Sequence, residues 1–396
     1  MFIAQLGRQP ELSLAELSAV FGKKNVSLVA KDFASVETDF FNIDELGGTL
    51  KCGKIITTLP PAKNDSDAIS QASKFITDHY RKKWHGLTGK FTIGLSAYNF
   101  RTSPRNIQKI GIILKSSVKS HGINLRLIPN LDISLSTATS HNNKLGSSER
   151  KIEVLIIRAI NGKIIIAESR GVQNITSYTI RDRNRPKRDA FVGMLPPKLA
   201  QIMLNLATGS TNAKNTDNLN ILDPFCGTGT ILQEALIRGY FVTGSDLSDK
   251  MVDYTRENLD WVQNKFQTSH NIISVQQADA TKFIWKQAGK IDAVVCETYL
   301  GQPFSAPPSP SKLKEVSGNC NHIISAFLKN IHPQLRPDTT LCIAVPAWIS
   351  KNGHFTHLPL INNLSNLGYE LTIDAPLLYH RPDQVVAREI LVIKTK

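Results

Sequence analysis

The sequence predicts an α/β protein: a mostly parallel sheet with an antiparallel last strand in the second half, preceded by an α+β region. Three observations carry this. From residue 220 onward apolar strands alternate with helical segments, the pattern of βαβ crossovers. A glycine-bearing turn, Asp223–Thr230, joins the first of those strands directly to a helix. The 396 residues, 41% hydrophobic and 20% charged, suffice for two or three domains and exclude a disordered or collagen-like chain.

The opening residues read as a small α+β unit. Phe2–Leu6 is a short apolar strand, and Ser13-Leu-Ala-Glu16 has the spacing of a capping box that opens a helix through Val20. Strands are expected at Val26–Ala30 and Ala34–Glu37, and Pro60-Pro61 with the polar stretch after it marks a boundary. A second unit follows: helix Ala68–Lys83, strand Phe91–Ala97 and helix Pro104–Ser120, whose face carries Lys109, Lys115 and Lys119. Strands Leu125–Ile128, Ile152–Ile160 and Lys163–Glu168 complete it, the last two joined by an Asn161-Gly162 turn. A polar loop separates the first two of these strands. Domain boundaries are placed to give 1–62, 63–174 and 175–396.

The third segment starts with Arg181–Arg188, five basic residues in eight (Arg181, Arg183, Arg185, Lys187, Arg188), and then a helix after Pro196. Strands Asn220–Asp223, Phe241–Ser245, Ile272–Gln276, Ile291–Cys296 and Thr340–Val345 alternate with helices Thr230–Arg238, Asp249–Val262 and Lys314–His332. A helix near Pro359–Asn366 and two antiparallel strands, Glu370–Asp374 and Ala387–Ile393, end the chain.

Lys and Arg number 47 against 33 Asp and Glu, a net charge of +14, which favours polyanionic partners through phosphate neutralisation. Five scattered cysteines without C-x-x-C spacing argue against a disulfide framework and a zinc ribbon. No apolar run reaches the ~18 residues of a membrane span, and Met1–Ser13 lacks the layout of a signal peptide. The expectation is a cytoplasmic protein with no membrane partner. No histidine has metal-ligand spacing, so no metal is expected.

In Asp223-Pro-Phe-Cys-Gly-Thr-Gly-Thr230 the loop glycines Gly227 and Gly229 let a ligand approach the backbone. A dinucleotide site needs a third small residue three positions on, where this chain has Leu232. An acidic residue four positions before the first glycine instead suits a cationic ligand. S-adenosylmethionine carries a sulfonium and an ammonium that Asp223 can hold. Asp246 closes the second strand, where a carboxylate can accept from ribose hydroxyls, and Asp279 follows the third, within reach of an adenine amine. The plainer reading of each carboxylate is a helix cap or a turn.

Asp223–Thr230 resembles the first motif of Rossmann-like class I methyltransferases, in the form typical of RNA guanine-N2 methylases. Leu6–Glu16, Arg185-Pro186, Phe191–Lys198 and Tyr379–Glu389 are similar to segments of the archaeal and eukaryotic tRNA guanosine-10 N2-methyltransferases. The resemblance implies a ferredoxin-like domain over 1–62, a THUMP-like RNA-binding domain over 63–174 and a Rossmann-like methyltransferase domain over 175–396. It implies S-adenosyl-L-methionine as cofactor, at Asp223, Phe225, Gly227, Gly229, Asp246 and Asp279. It implies tRNA as partner, with Lys109, Lys115, Lys119 and the basic residues of Arg181–Arg188 on its phosphates. A small activator protein is compatible with the resemblance, though the sequence carries no sign of one.

After the fourth strand such enzymes carry an acidic or amide residue, two prolines and an aromatic. Here the chain reads Val295-Cys-Glu-Thr-Tyr-Leu-Gly301, without the prolines. Glu297 falls where the acidic residue belongs and Tyr299 stands one position early; these are the expected catalytic residues, gripping the amine and stacking on a flipped base. Phe191 and Pro346-Ala-Trp348 are the next candidates for the base pocket, and Cys296 reads as a core thiol. The leading expectation is methylation of an exocyclic guanosine N2 in tRNA. An adenine-N6 methylase of DNA or rRNA and an inactive RNA-binding protein are the alternatives.

Overall fold

A computed structural model describes residues 1–189, 194–209, 219–269, 271–350, 352–373, 375–382 and 384–396. The chain divides into two units, Met1–Ser177 and Tyr178–Lys396.

The first unit runs β1 (Phe2–Leu6), α1 (Pro10–Phe21), β2 (Val26–Ala30), β3 (Phe33–Val36), β4 (Thr49–Leu59), α2 (Asp65–Lys83), β5 (Gly89–Tyr98), α3 (Pro104–Lys119), β6 (Ile123–Leu127), α4 (Thr137–Asn142), β7 (Lys151–Arg158) and β8 (Ile164–Val172). One sheet takes all eight strands in the order β2-β3-β1-β4-β8-β7-β5-β6. Pairing is antiparallel except where β5 runs parallel to β6 and to β7. Ile76 and Tyr80 of α2 and Ile107 and Leu114 of α3 are buried with Phe91 and Ile93 of β5.

Three expectations here need correction. α1 starts at Pro10, not after Ser13, because the proline suits a first helical turn. The Ser13 hydroxyl donates to Gln9 O at 3.2 Å, and Glu16 accepts from the Gly47 and Gly48 N–H groups at 2.8 Å each, so neither side chain caps the helix. β4 has no counterpart in the expected strands: Lys51 interrupts its apolar pattern. That lysine is buried, and its Nζ donates to Glu153 Oε1 at 2.6 Å and to Leu135 O at 2.7 Å. The polar loop before β7 holds the short helix α4, whose Ser140 hydroxyl also donates to Glu153, at 2.6 Å.

α5 (Ile175–Arg183) leads into the second unit, which runs α6 (Pro197–Thr208), β9 (Asn220–Asp223), α7 (Thr230–Ile237), β10 (Phe241–Asp246), α8 (Asp249–Phe266), β11 (Ile272–Gln277), β12 (Ala293–Glu297), α9 (Pro310–Ile331), β13 (Thr340–Ile349), β14 (Phe355–Thr356), β15 (Tyr369–Leu371), β16 (Leu377–Tyr379) and β17 (Val386–Thr395). The sheet order is β11-β10-β9-β12-β13-β17-β15, with β14 beside β13 and β16 beside β17. The first five strands are parallel, and β17 lies antiparallel between β13 and β15. The expected helix near Pro359–Asn366 is a 3₁₀ segment, Pro359–Leu367, and the strand expected over Glu370–Asp374 shortens to β15; Asp374 lies outside the described residues. From β9 the chain steps outward to β10 and β11, then returns to β12 on the other side of β9. The carboxyl ends of β9 and β12 therefore flank a reversal of winding, where open α/β sheets bind ligands.

Candidate active site

β9 delivers Asp223 to the switch point. Its side chain is buried, and Oδ1 accepts the Phe225 N–H at 3.1 Å. Burial pushes this carboxyl well above the ordinary carboxylate range; Asp246 and Glu297 push it further, and only the Phe225 bond opposes. Asp223, at the end of β9, thus lies within electrostatic reach of the carboxylates at the ends of β10 and β12.

Asp246 braces the glycine turn. Its Oδ2 accepts the Gly227 N–H and its Oδ1 the Ser248 N–H, both at 2.9 Å. Burial raises its pKa and these bonds work against that. Gly227 sits at φ +52° with open space where a side chain would project; Gly229, at φ +79°, is backed by Thr255. Thr255 Oγ1 donates to Gly227 O at 2.7 Å and Asn258 Nδ2 to Thr228 O at 2.8 Å, so α8 fixes the loop from behind. Leu232 explains the absent third small residue. Its Cδ1 stands 2.5 Å from where a Cβ on Gly244 would lie, so the glycine that lets helix and strand approach sits on β10 rather than on α7.

Phe225 is partly buried, its ring edge-to-face with Phe327 at 5.1 Å. Asp279 is half-exposed; its Oδ1 accepts the Thr281 hydroxyl at 2.7 Å and N–H at 3.0 Å, bonds that hold it below the usual carboxylate range.

Glu297 ends β12 opposite Ala344 of β13. Arg388 of β17 donates its Nε to Glu297 Oε1 in an ion pair whose members are mostly buried. Thr298 donates through both N–H and hydroxyl to Ala344 O, at 3.0 and 2.9 Å, fixing the turn beyond the strand without the prolines. The next side chain but one from Glu297, Tyr299, is 42% exposed. Cys296 is fully buried, and burial drives its thiol well above the ordinary value. Trp348 is buried as well and cannot stack on a base, which removes it from the pocket candidates; Phe191 lies outside the described residues.

The basic segment divides. Arg181 and Arg185, expected on RNA phosphates, are buried: Arg181 Nε donates to Glu234 Oε1 at 2.6 Å and Arg185 Nη1 to Thr230 Oγ1 at 2.6 Å. α5 and the strand-to-helix turn absorb both guanidinium groups into the second unit, so neither reaches a phosphate. Lys187 pairs with Glu257 at 3.2 Å, while Arg183 and Arg188 are exposed. Lys109, Lys115 and Lys119 all lie exposed on α3. The first unit holds 24 of the 47 Lys and Arg and 14 of the 33 Asp and Glu, and so +10 of the net +14.

Arg388 was missed as a site residue, although it lies in the Tyr379–Glu389 segment. Its role depends on the antiparallel register that sets Arg388 opposite Pro346 of β13, which local sequence does not disclose.

Residues 185–348 match the family model UPF0020 (RMKL-like, methyltransferase domain). With the parallel sheet, its antiparallel β17 and the carboxylates at the switch point, the second unit is a class I methyltransferase domain. A tRNA (guanine(10)-N2)-dimethyltransferase of Methanothermobacter thermautotrophicus is 34% identical over 167 residues, 42% of this chain and 43% of that protein. A probable tRNA (guanine(10)-N2)-dimethyltransferase of Methanothermococcus thermolithotrophicus is 32% identical over 131 residues, 32% of this chain and 73% of that protein. The chain belongs to the family of these dimethyltransferases, although its match spans less than half the length of the first relative. The crystal structure of TrmN from Thermus thermophilus has a similar fold throughout, with TM-score 0.51 and 17% identity over 100% of this chain and 99% of that one. Among the described residues, no helix is long and apolar enough to cross a membrane.

Proposed function

We propose that this chain is an S-adenosylmethionine-dependent methyltransferase that modifies the exocyclic N2 of a guanosine in tRNA, of the position-10 type. The names of its relatives and the methyltransferase domain support the reaction class. The ion-paired carboxylate of Glu297 carries the choice of base.

Guanine presents two adjacent donors, N1–H and N2–H, on its pairing edge. An ionised carboxylate only accepts hydrogen bonds and so suits that edge. Adenine sets its N6–H donor beside an N1 lone pair, which an acceptor-only group would repel. Arg388 occupies Oε1 and, among the described residues, Oε2 has no partner and is left to meet the amine.

The site residues fit the cofactor by their chemistry. Asp223 is a buried carboxylate with, among the described residues, no counter-charge of its own, suited to a sulfonium and ammonium; Asp246 suits ribose hydroxyls, and the open space before Gly227 admits a nucleoside. The bound cofactor supplies an electrophilic methyl group. Glu297 and Tyr299 hold the amine in line with it, which is most of what a poor, conjugated nucleophile requires. As positive charge develops on nitrogen, the Glu297 carboxylate stabilises it and directs the leaving proton toward solvent.

The exposed cations of α3, with Arg183 and Arg188, grip the tRNA backbone by charge and shape. The segments 1–62 and 63–174 serve as ferredoxin-like and THUMP-like parts of that RNA-binding region. A cytoplasmic setting and, where turnover demands it, a small activator protein go with this reading.

Mass spectrometry of tRNA nucleosides, after incubation with the protein and labelled cofactor, tests it. N2-methylguanosine is the expected product. N6-methyladenosine would move the assignment to adenine, and bound cofactor without any methylated nucleoside would make the chain a silent RNA binder.

A further inference from the structure

Arg388 uses only part of what it can donate. A guanidinium carries five N–H donors in a rigid fork. The Nε–H goes to Glu297 Oε1, and among the described residues neither Nη group has a hydrogen-bond partner. The residue is only 8% exposed. Buried donors are almost always satisfied, so idle ones on a largely desolvated cation call for a ligand. The pair is not sealed off: Arg388 and Glu297 keep 10% and 19% of their side-chain surface open.

The strand register places those donors. Ala344 of β13 lies between Glu297 of β12 and Ile390 of β17, and Pro346, two residues on, faces Arg388. Side chains alternate along a strand, so Arg388 and Glu297 rise from the same face of the sheet. Strands two apart are separated by about 9.5 Å, a gap that Arg388 spans from a position nearer the carboxyl edge. Its fork therefore flanks the Glu297 carboxylate on the side where β12 gives way to Thr298 and Tyr299.

We propose that Arg388 is a specificity-determining residue, its free Nη groups donating to O6 of the target guanine while Glu297 accepts from the amine. This rests on the reading of Glu297 given above. The pairing edge of guanine runs donor, donor, acceptor through N2, N1 and O6. The ion pair runs from an acceptor, the carboxylate, to a donor, the guanidinium, and so matches that edge along its length. Adenine places an amine where guanine has O6, and a guanidinium has no acceptor to meet it. A base flipped out of its stack is read along this same edge.

Synthetic tRNA with 2-aminopurine in place of the methylated guanosine isolates the contact, because this base keeps the amine and lacks O6. The ratio of kcat/KM on the two RNAs measures the preference, which in the wild type should strongly favour guanosine. Arg388→Met should lower that preference by about ten- to a hundredfold, the scale of a charged hydrogen bond. Arg388→Lys keeps a cation beside Glu297 without the planar fork. It should restore part of the turnover on guanosine but not the preference, and it provides the comparison should the methionine variant not fold. Equal losses on both RNAs, with the preference unchanged, would make Arg388 a positioning residue for Glu297 and overturn the contact with O6. A wild type without preference would overturn it too. A wild type that leaves guanosine N2 unmethylated would overturn the reading of Glu297 first, and the contact with it.

Discussion

The carboxylates of the second unit and the lysines of the first are both charged groups, used in opposite ways. Asp223, Asp246 and Glu297 are few and turned inward, and each is bonded to a named partner: the Phe225 N–H, the Gly227 and Ser248 N–H groups, and Arg388. Lys109, Lys115 and Lys119 are exposed on α3, and among the described residues none of them forms an ion pair. A fixed, partly desolvated charge acts through its position, and moving it by an ångström matters. A solvated lysine acts through its sign, and any one of several can replace another. The first kind suits chemistry at one atom, the second a long polyanion.

The sharpest break in this contrast is Glu297→Gln, which keeps shape but removes the charge facing the amine. Turnover on tRNA should fall about 10²–10³-fold, the scale for one oriented electrostatic group, while calorimetry shows cofactor affinity nearly unchanged. A wild-type rate would mean that this carboxylate is not at the reacting atom.

Next comes Asp246→Ala, which removes both the brace on Gly227 and the ribose acceptor. Cofactor binding should weaken by about 1–3 kcal/mol, with little change in tRNA affinity measured separately.

Asp223 sharpens the comparison through pH. Its raised pKa means that, between the ordinary value of 3.8 and the raised one, the empty folded site holds the proton. The resulting stability is fully present below the ordinary value of 3.8 and is lost as pH rises through the raised one. A cationic ligand needs the ionised form, so binding should release a proton, and affinity should climb by up to about tenfold per pH unit across that interval. Calorimetry in buffers of different ionisation enthalpy reads the proton directly. Asp223→Asn should abolish the release.

The smallest single effects belong to α3. Neutralising Lys109, Lys115 or Lys119 singly should lower the log–log salt slope of tRNA binding by about 1 or less each, and all three together by their sum. A single lysine that removed most of the affinity would break the contrast.

The same distinction governs how much was legible in the sequence. The glycine turn could be read because its geometry is local: Gly227 and Gly229 take positive φ within a few residues of the carboxylates they serve. The alternation of strands and helices was readable for the same reason, since period and turn chemistry are written within short windows. What failed depended on partners far along the chain. A run of five basic residues that holds a single acidic one, Asp182, reads as a solvated face, yet Arg181 finds Glu234 more than fifty residues on. β4 contains a lysine whose partner Glu153 lies |i−j| = 102 away. The Glu297–Arg388 pair, |i−j| = 91, requires both the return of β17 beside β13 and its register.

β4 has a further consequence, for synthesis on the ribosome. One edge of this strand is met early by β1, but the other pairs with β8, Leu59 opposite Ile164. For about a hundred residues of elongation, the emerging polypeptide carries a strand whose amide and carbonyl groups along that edge have no partner. Open edges of this sort recruit other strands. Premature termination anywhere between β4 and β8 would therefore release an adhesive fragment rather than a smaller folded piece, and a quality-control system would meet it as such.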